Sequence, residues 1–548
     1  MSTNETLDAL HQSLTDFFNS AVIDKEEKWR RYFLEKVMNL IEQSGLVIAT
    51  GKCYDHPKFS IDQPEVNDEA SDFASTPESN SPPSYAATAR ALEETRSAPA
   101  ALLSSRKSPQ PKTGVASDKK VDHTIALSNY TDDCILGFLQ TGQLKHRELE
   151  AKLDPDFARA VRLRRHHFGS ISNLAVLDLP YENYDYSSVN WLTALQVYKA
   201  CCENVTGYVP LPLGLAGPLN VNSKEYMIPL ATTEGALVAS ISRGCKKSNG
   251  VLSKVFSDGM TRAPVLKFET TGEALEVKEW LENPQYFGTV KETFDGTSNY
   301  GRLKSVTVSM YGTFLFVRFE ASTGDAMGMN MVSKGVTAVL HMMTKLFPKM
   351  EVLSLSGNYC VDKKASSINW INGRGKSVVA EAFIPSAVVQ SELKTTVEDL
   401  CQLAKTKLLV GTSMAGTVGG WNAHAANIVA AIFLATGQDA AQVVSSSMCL
   451  TLMDKTRGGD LHVTCTMKCL EVGTVGGGTI LPAQKTCLKM LNCDGASVDV
   501  PGNNAKRLAE IICATVLAGE LSLLAALCTG SLVKSHLRLN RLLHLFLH

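Results

Sequence analysis

Apolar positions first recur at helical spacing near the start of the chain, where Trp29, Phe33, Val37, Leu40 and Ile41 fall on one face of a helix. From about 58 to 125 the pattern lapses. The stretch FASTPESNSPPSYAATARALEETRSAPA mixes Ser, Pro, Ala and charge, and buries too little apolar surface to order itself. The expected division is a helical segment at 1–57, a disordered linker at 58–126 and a globular body after it. Helical patterning returns over 127–202, most clearly in HRELEAKLDPDFARAVRLRRHHFG. Glycine-rich punctuation follows at 203–219, then PLATTEGALVAS and a further helix.

Residues 264–354 have a different texture. A strand-like run VLKFET leads to a helix, ALEVKEWLEN, and then to the alternating hairpin KSVTVSMYGTFLFVRFE, which turns at Gly312. The helix VSKGVTAVLHMMTKLF closes the segment. This order predicts a small α+β unit inserted into a larger one formed by 203–263 and 355–548. After 365 the pattern predicts long helices rich in Ala, Val and Gly, with glycine turns at 411–420 and 473–478. Two apolar runs, 408–438 and 511–533, are long enough for a membrane span, which needs about 20 predominantly apolar residues. The first is broken by GTSMAGTVGGWNAHAAN and the second carries Glu520, so both are expected as buried helices packed through small residues. No internal repeat is visible.

Charge narrows the partners. With 54 basic and 55 acidic residues the net charge is −1, which gives no electrostatic case for nucleic acid or an anionic membrane surface. A small molecule is the expected partner. The 14 cysteines are scattered, without C-x-x-C or paired Cys/His spacing, which implies reduced thiols in a cytosolic protein and no metal site. The N-terminus MSTNETLDALHQSL has acids where a signal peptide would be basic, so secretion is not expected.

Candidate chemistry concentrates in SGNYCVDKKASSINWINGRGKSV at 356–378. Asp362, Lys363 and Lys364 share a Gly, Ser and Asn-rich turn, suited to an anionic substrate and a developing oxyanion, or simply to a solvated surface. Glu234, in ATTEGALVAS, is expected to be poorly solvated; desolvation raises a carboxyl pKa and suits a general acid, although a glutamate in a first helical turn needs no such role. In DAMGMNM, at 325–331, Asp325, Gly328 and Asn330 precede a helix whose backbone amides suit a phosphate or ribose. No G-x-G-x-x-G fingerprint accompanies them. The cluster GTVGGGT at 473–479 allows close approach to a ligand or makes a tight turn. Asp439, flanked by apolar residues in GQDAAQVV, should be paired, most simply with a lysine. His536, in VKSHLRLN, carries no signal of its own.

Together, ENVTGYVPLPLGLAGPL, ATTEGALVAS, SDGMTR, TGDAMGMNM, SGNYCVDKK, GGWNAHAANIVAAI, GQDAAQ, GTVGGGT and LVKSH, in this order over about 135–541, resemble the eukaryotic 3-hydroxy-3-methylglutaryl-coenzyme A (HMG-CoA) reductases. The resemblance implies a four-electron reduction of HMG-CoA to mevalonate and coenzyme A by two NADPH, the committed step toward isoprenoids and sterols. It implies that Lys363 stabilises the oxyanion, Glu234 supplies protons, Asp439 tunes that pair and His536 protonates the departing thiolate. Arg262, Ser356, Asp362, Lys364, Lys407, His424 and Asn427 match positions that hold the hydroxymethylglutaryl group. Glu203, Asn204 and Arg243 match positions near the thioester or coenzyme A. Ser298, Asn299, Tyr300, Asp325, Gly328, Met329, Asn330, Val475, Gly476 and Gly477 match NADPH positions.

The implied fold is α+β: a helical N-terminal domain at 127–202, a large α/β catalytic domain around a central helix, and an inserted ferredoxin-like NADP-binding domain at 264–354. The implied assembly is a homodimer or homotetramer with its site at a subunit boundary. The sequence departs from the family at four places. Residues 1–126 hold no span where eukaryotic relatives carry a membrane region, which reads as a soluble, cytoplasmic form or a truncated form of an endoplasmic reticulum protein. Asn299 replaces an arginine suited to the 2′-phosphate. Residues near 190–199 are extra and 246–256 are shortened, beside the coenzyme A region. Leu542 stands where a regulated serine is usual. A non-catalytic relative that binds coenzyme A esters is the alternative reading, disfavoured by the presence of Glu234, Lys363, Asp439 and His536.

Overall fold

The computed structural model describes residues 126–154, 156–172 and 201–531. The helix and linker expected before 126, the extra residues near 190–199, His536 and Leu542 lie outside the described residues. Thr131 accepts a hydrogen bond from the Cys134 N–H and starts α1 (Asp132–Gln140). With α2 (Leu149–Leu153) and α3 (Phe157–Ser172) it closes a small core around Ile135, Leu149 and Leu163. Arg164 is fully buried, pairs with Glu150 at 2.6 Å and donates to the Val205 carbonyl at 2.7 Å. That ion pair ties the helices to the chain entering the first sheet.

The glycine-rich segment is a hairpin rather than punctuation: β1 (Leu213–Val221) pairs antiparallel with β2 (Lys224–Ala231). It leads into α4 (Leu237–Lys247) and β3 (Leu252–Arg262). The next elements are β4 (Val265–Lys267), α5 (Thr271–Glu282), α6 (Pro284–Asp295), β5 (Arg302–Tyr311), β6 (Phe314–Ser322), α7 (Met329–Leu346) and β7 (Glu351–Ser354). Thr270 and Glu273 form a capping box at α5, and Gly312, at φ 59°, turns the hairpin between β5 and β6. The strand order β5-β6-β4-β7 is antiparallel and ferredoxin-like. Phe294, Leu315, Phe319, Val336 and Met343 fill its own core.

The remaining elements are α8 (Ser367–Asn372), β8 (Gly375–Ile384), α9 (Val397–Leu403), β9 (Gly420–Trp421), α10 (Ala425–Thr436), β10 (Cys449–Lys455), β11 (Leu461–Leu470), α11 (Pro482–Met490) and α12 (Asn503–Cys528). Three of these strands correct the expectation of long helices after 365. β8, β11 and β10 pair in that order as the central sheet, and β3 joins it to the small unit: its first part pairs with β8 and its end, Met260–Arg262, with β6. β8 is a nearly continuous apolar run, which periodicity cannot tell from a buried helix, but β10 and β11 alternate buried and half-buried positions at period two, a strand signal that the expectation passed over. The run 408–438 is likewise only partly helical: Ala404–Gly411 winds as a π-helix, and α10 occupies only the end.

α12 is the central helix, with 18 buried residues, and packs against β3, β8, β11, α4 and α10. Among the described residues it is the one helix long and apolar enough to cross a membrane, and 83% of its most apolar window is buried. Close approach needs glycine at one contact: a Cβ on Gly244 of α4 would lie 1.9 Å from the Ala518 carbonyl oxygen. Glu520, fully buried within α12, accepts from the Ala423 N–H at 2.6 Å, the His424 N–H at 2.8 Å and the Thr451 hydroxyl at 3.2 Å. The charge that argued against a span is used to anchor the start of α10.

Candidate active site

A cleft of about 960 Å³ lies between the start of α7, the turn bearing Lys363 and the glycine loop after β11. The turn is strained: Asn358, Val361 and Lys363 have φ of 60°, 43° and 58°. Positive φ costs a non-glycine residue on the order of 1–3 kcal/mol and persists only where the surroundings enforce it. Lys363 Nζ lies 2.8 Å from Asp439 Oδ2, while Asp439 Oδ1 accepts from the Ala441 N–H at 3.0 Å. The lysine pairing expected for Asp439 is present, but the carboxylate is only half-buried. Its hydrogen bond, reinforced by the charges of Asp439, Asp362 and Glu471, holds the Lys363 ammonium above the usual lysine range against a desolvation that works the other way.

Beneath the turn sits a network that sequence reasoning missed. Arg374, fully buried, reaches Asp362 Oδ1 at 3.1 Å and Glu471 Oε1 at 2.6 Å. Gln442 donates to the same Asp362 oxygen at 3.3 Å. Burial pushes the Glu471 carboxyl up, opposed by Arg374. One signal could have found both residues. Arg374 in WINGRGKSVV and Glu471 in KCLEVGTV are charges beside apolar runs, and a buried charge needs a partner.

One wall of the cleft begins at Gly328, which takes φ 88° at the N-cap of α7 without a side-chain cap. A Cβ there would fall 2.2 Å from a Thr323 carbon. The first turn of this 18-residue helix carries backbone N–H groups at Met329 and Asn330 that have no carbonyl to bond within the helix, and both residues line the cleft. Val475, Gly476 and Gly477 line the opposite side. An isolated parallel bridge between Ala326 and Val475 and a 2.8 Å bond from the Thr474 N–H to the Asp325 carbonyl fix the two walls together. An uncapped helix start facing a glycine loop fits a dinucleotide phosphate.

Asp325, matched to an NADPH position, spends its side chain on the fold. Its side chain is buried and accepts from the N–H groups of Ser497 and Gly502, each at 2.9 Å, and of Ala505 at 3.0 Å, so it caps the central helix. Asp325→Ala is expected to lower stability by about 2–4 kcal/mol, because three buried donors lose their acceptor. Chemical denaturation would register this as a lower midpoint with an unchanged slope. Ser298, Asn299 and Tyr300 do not line the cleft. They form a turn in which Ser298 Oγ accepts from the Tyr300 and Gly301 N–H groups and Arg302 grips the Ser298 and Asn299 carbonyls.

Of the positions matched to substrate, Arg262 and Asp362 line the cleft, with Arg262 Nε donating to Ser333 Oγ at 3.0 Å. Ser356, Lys364 and Lys407 are exposed and outside it; Lys364 Nζ meets the Asp362 carbonyl at 3.4 Å. His424 and Asn427 sit at the start of α10 above Glu520. Arg243 turns toward α12, donating to Ser522 O at 2.5 Å and Ser522 Oγ at 3.0 Å. Glu203 and Asn204 are exposed, as is Glu234, which corrects the expectation of a desolvated carboxyl. The turn that holds Glu234 is open on this chain, with its N–H bonded to Thr232 Oγ1 at 3.0 Å, so nothing buries the acid.

The arrangement is an α+β fold with a lysine–carboxylate pair in a cleft walled by an uncapped helix start and a glycine loop. The family model for hydroxymethylglutaryl-coenzyme A reductase matches residues 160–541. The chain is 50% identical over 419 residues to the 3-hydroxy-3-methylglutaryl-coenzyme A reductase of Strongylocentrotus purpuratus, covering 75% of this chain and 44% of that protein. It is 54% identical over 401 residues to that of Drosophila melanogaster, covering 72% and 43%. A class II enzyme of Streptococcus pneumoniae, solved bound to NADPH in open conformations, matches with a TM-score of 0.49 and 21% identity over 73% of this chain and 87% of that one. The chain belongs to the hydroxymethylglutaryl-coenzyme A reductase family. It spans half or less of the length of the curated relatives it matches.

Proposed function

We propose that the chain catalyses the NADPH-dependent reduction of HMG-CoA to mevalonate and coenzyme A. The observation that carries this reading is the Lys363–Asp439 pair at 2.8 Å in the cleft that also holds the uncapped start of α7. NADPH, when bound, supplies hydride to the substrate carbonyl carbon. Negative charge then develops on the carbonyl oxygen, and a fixed ammonium stabilises it without reorganisation. Lys363 is that ammonium, kept protonated by Asp439. Met329, Asn330, Val475, Gly476 and Gly477 hold the dinucleotide, and Arg262 and Asp362 hold the hydroxymethylglutaryl end. The thioester passes through a hemithioacetal, loses coenzyme A thiolate with a proton from His536, and gives an aldehyde that accepts a second hydride.

Glu234, exposed on its own chain, is read as the proton donor of a site completed by a second copy, in a homodimer or homotetramer. The burial of α12 supports reading it as a core helix of the catalytic unit rather than a span. The three domains are read as helical, cofactor-binding and catalytic, with boundaries as expected above. Incubation of the full chain with NADPH and HMG-CoA tests the proposal: nucleotide absorbance should fall and mevalonate appear. Unchanged absorbance, with HMG-CoA still bound, would favour the non-catalytic binding protein.

The pH profile offers a sharper check. Because the Asp439 hydrogen bond is the leading cause of the raised Lys363 pKa, Asp439→Asn should let that pKa fall. The ammonium is then lost at lower pH. The alkaline limb of kcat/KM should move toward neutrality while the acid limb stays, as measured from about pH 6 to 10.

A further inference from the structure

Val361 and Lys363 hold positive φ, and the chain pins the turn between them from below. The Asn369 side chain, fully buried, donates to the Val361 carbonyl at 2.7 Å. Arg374 holds Asp362, the residue between the two, at 3.1 Å. The same guanidinium reaches Thr261 at the end of β3, through Oγ1 at 3.1 Å, and Met329 Sδ at the first turn of α7, at 2.7 Å. Its remaining charge partner is Glu471, fully buried two residues before Gly473, where the glycine loop begins. One side chain thus touches the lysine turn, the helix start read as the phosphate site and the root of the glycine loop.

We propose that Arg374, oriented by Glu471, is the positioning residue that holds the strained Asp362–Lys363 turn in reacting geometry and locks it to the nucleotide-binding wall. This rests on the reductase reading above. Arg374 touches no reacting atom; it acts through Asp362 and Met329. A planar guanidinium suits the place because it serves several acceptors at fixed angles, whereas an ammonium serves them as a single point charge.

Removing Arg374 alone strands Glu471 at full burial, while Asp362 keeps Gln442, and that variant can fail to fold. The test therefore uses the double variant Arg374→Met/Glu471→Leu, which removes the buried pair together with little change of volume, beside the conservative Arg374→Lys. In the full chain the double variant should unfold cooperatively near the wild-type midpoint. Its kcat should fall about 10²-fold, as expected when a reacting group is displaced by about 1 Å, and KM for HMG-CoA should rise as Asp362 loosens. Amide hydrogen exchange in residues 360–364 should accelerate while that of α12 stays unchanged, and Arg374→Lys should fall between the two.

Wild-type kcat in the double variant would overturn the proposal. So would a loss of activity that only tracks the folded fraction, with exchange at 360–364 unaltered. If the wild-type chain itself shows no turnover, the reductase reading fails. The exchange measurement still decides whether Arg374 pins the turn.

Discussion

Lys363→Ala is expected to lower turnover of HMG-CoA about 10³-fold, the upper range for deleting one preorganised oxyanion donor. The loss should fall on kcat, with KM near its original value, because the ammonium acts on charge that appears only in the transition state. Stability should hardly move. Lys363 and Asp439 are both part-exposed, and exposed ion pairs contribute at most about 1 kcal/mol. A variant that unfolds at the wild-type midpoint yet turns over slowly would place the effect in chemistry, whereas a parallel loss of both would make Lys363 a structural residue. Single-turnover kinetics beside a denaturation curve separates the two.

The second large effect belongs to the fold. Glu520→Ala should destabilise the chain by about 4 kcal/mol or more, since it leaves the N–H groups of Ala423 and His424 and the Thr451 hydroxyl without an acceptor inside the core. A carboxylate at this depth is held by donors that point at it from the start of α10, where the helix dipole also favours negative charge. Because His424 and Asn427 lie in that first turn, activity should fall before global unfolding is complete. Denaturant titration followed by both turnover and helical signal would detect the order of loss. Coincident transitions at the wild-type midpoint would show that Glu520 anchors nothing.

The sequence made the small unit readable because its elements obey simple periods. KSVTVSMYGTFLFVRFE alternates and turns at a glycine, and α7 repeats at three and four. In the large unit β8 is a nearly continuous apolar run with no clear period, whereas β11, LHVTCTMKCL, alternates at period two and was a strand signal that the richness in Ala, Val and Gly nearby masked. The site was legible where several chemical types crowd one turn, as at Asp362–Lys364, or where a lone acid demands a partner, as at Asp439.

It was illegible where a residue's task depends on what folds onto it. Asp325 sits in a ligand-like motif but caps α12, from residues more than 170 positions away. Glu234 lies in a turn of small residues that suggested burial, yet the turn stays open on its own chain. Arg374 and Glu471 carry no motif, and only the packing of β3, α7 and the glycine loop around them gives them a task.

Two successive hydride reductions proposed for one cleft, with Lys363 lining it, fix a ratio of nucleotide to product. The most direct test is the ratio of NADPH oxidised to mevalonate formed by the full chain, beside Lys363→Ala. A ratio of about two in the wild type, with both quantities falling together in the variant, is the expected result. Nucleotide consumption without mevalonate, or undiminished turnover in Lys363→Ala, would contradict it.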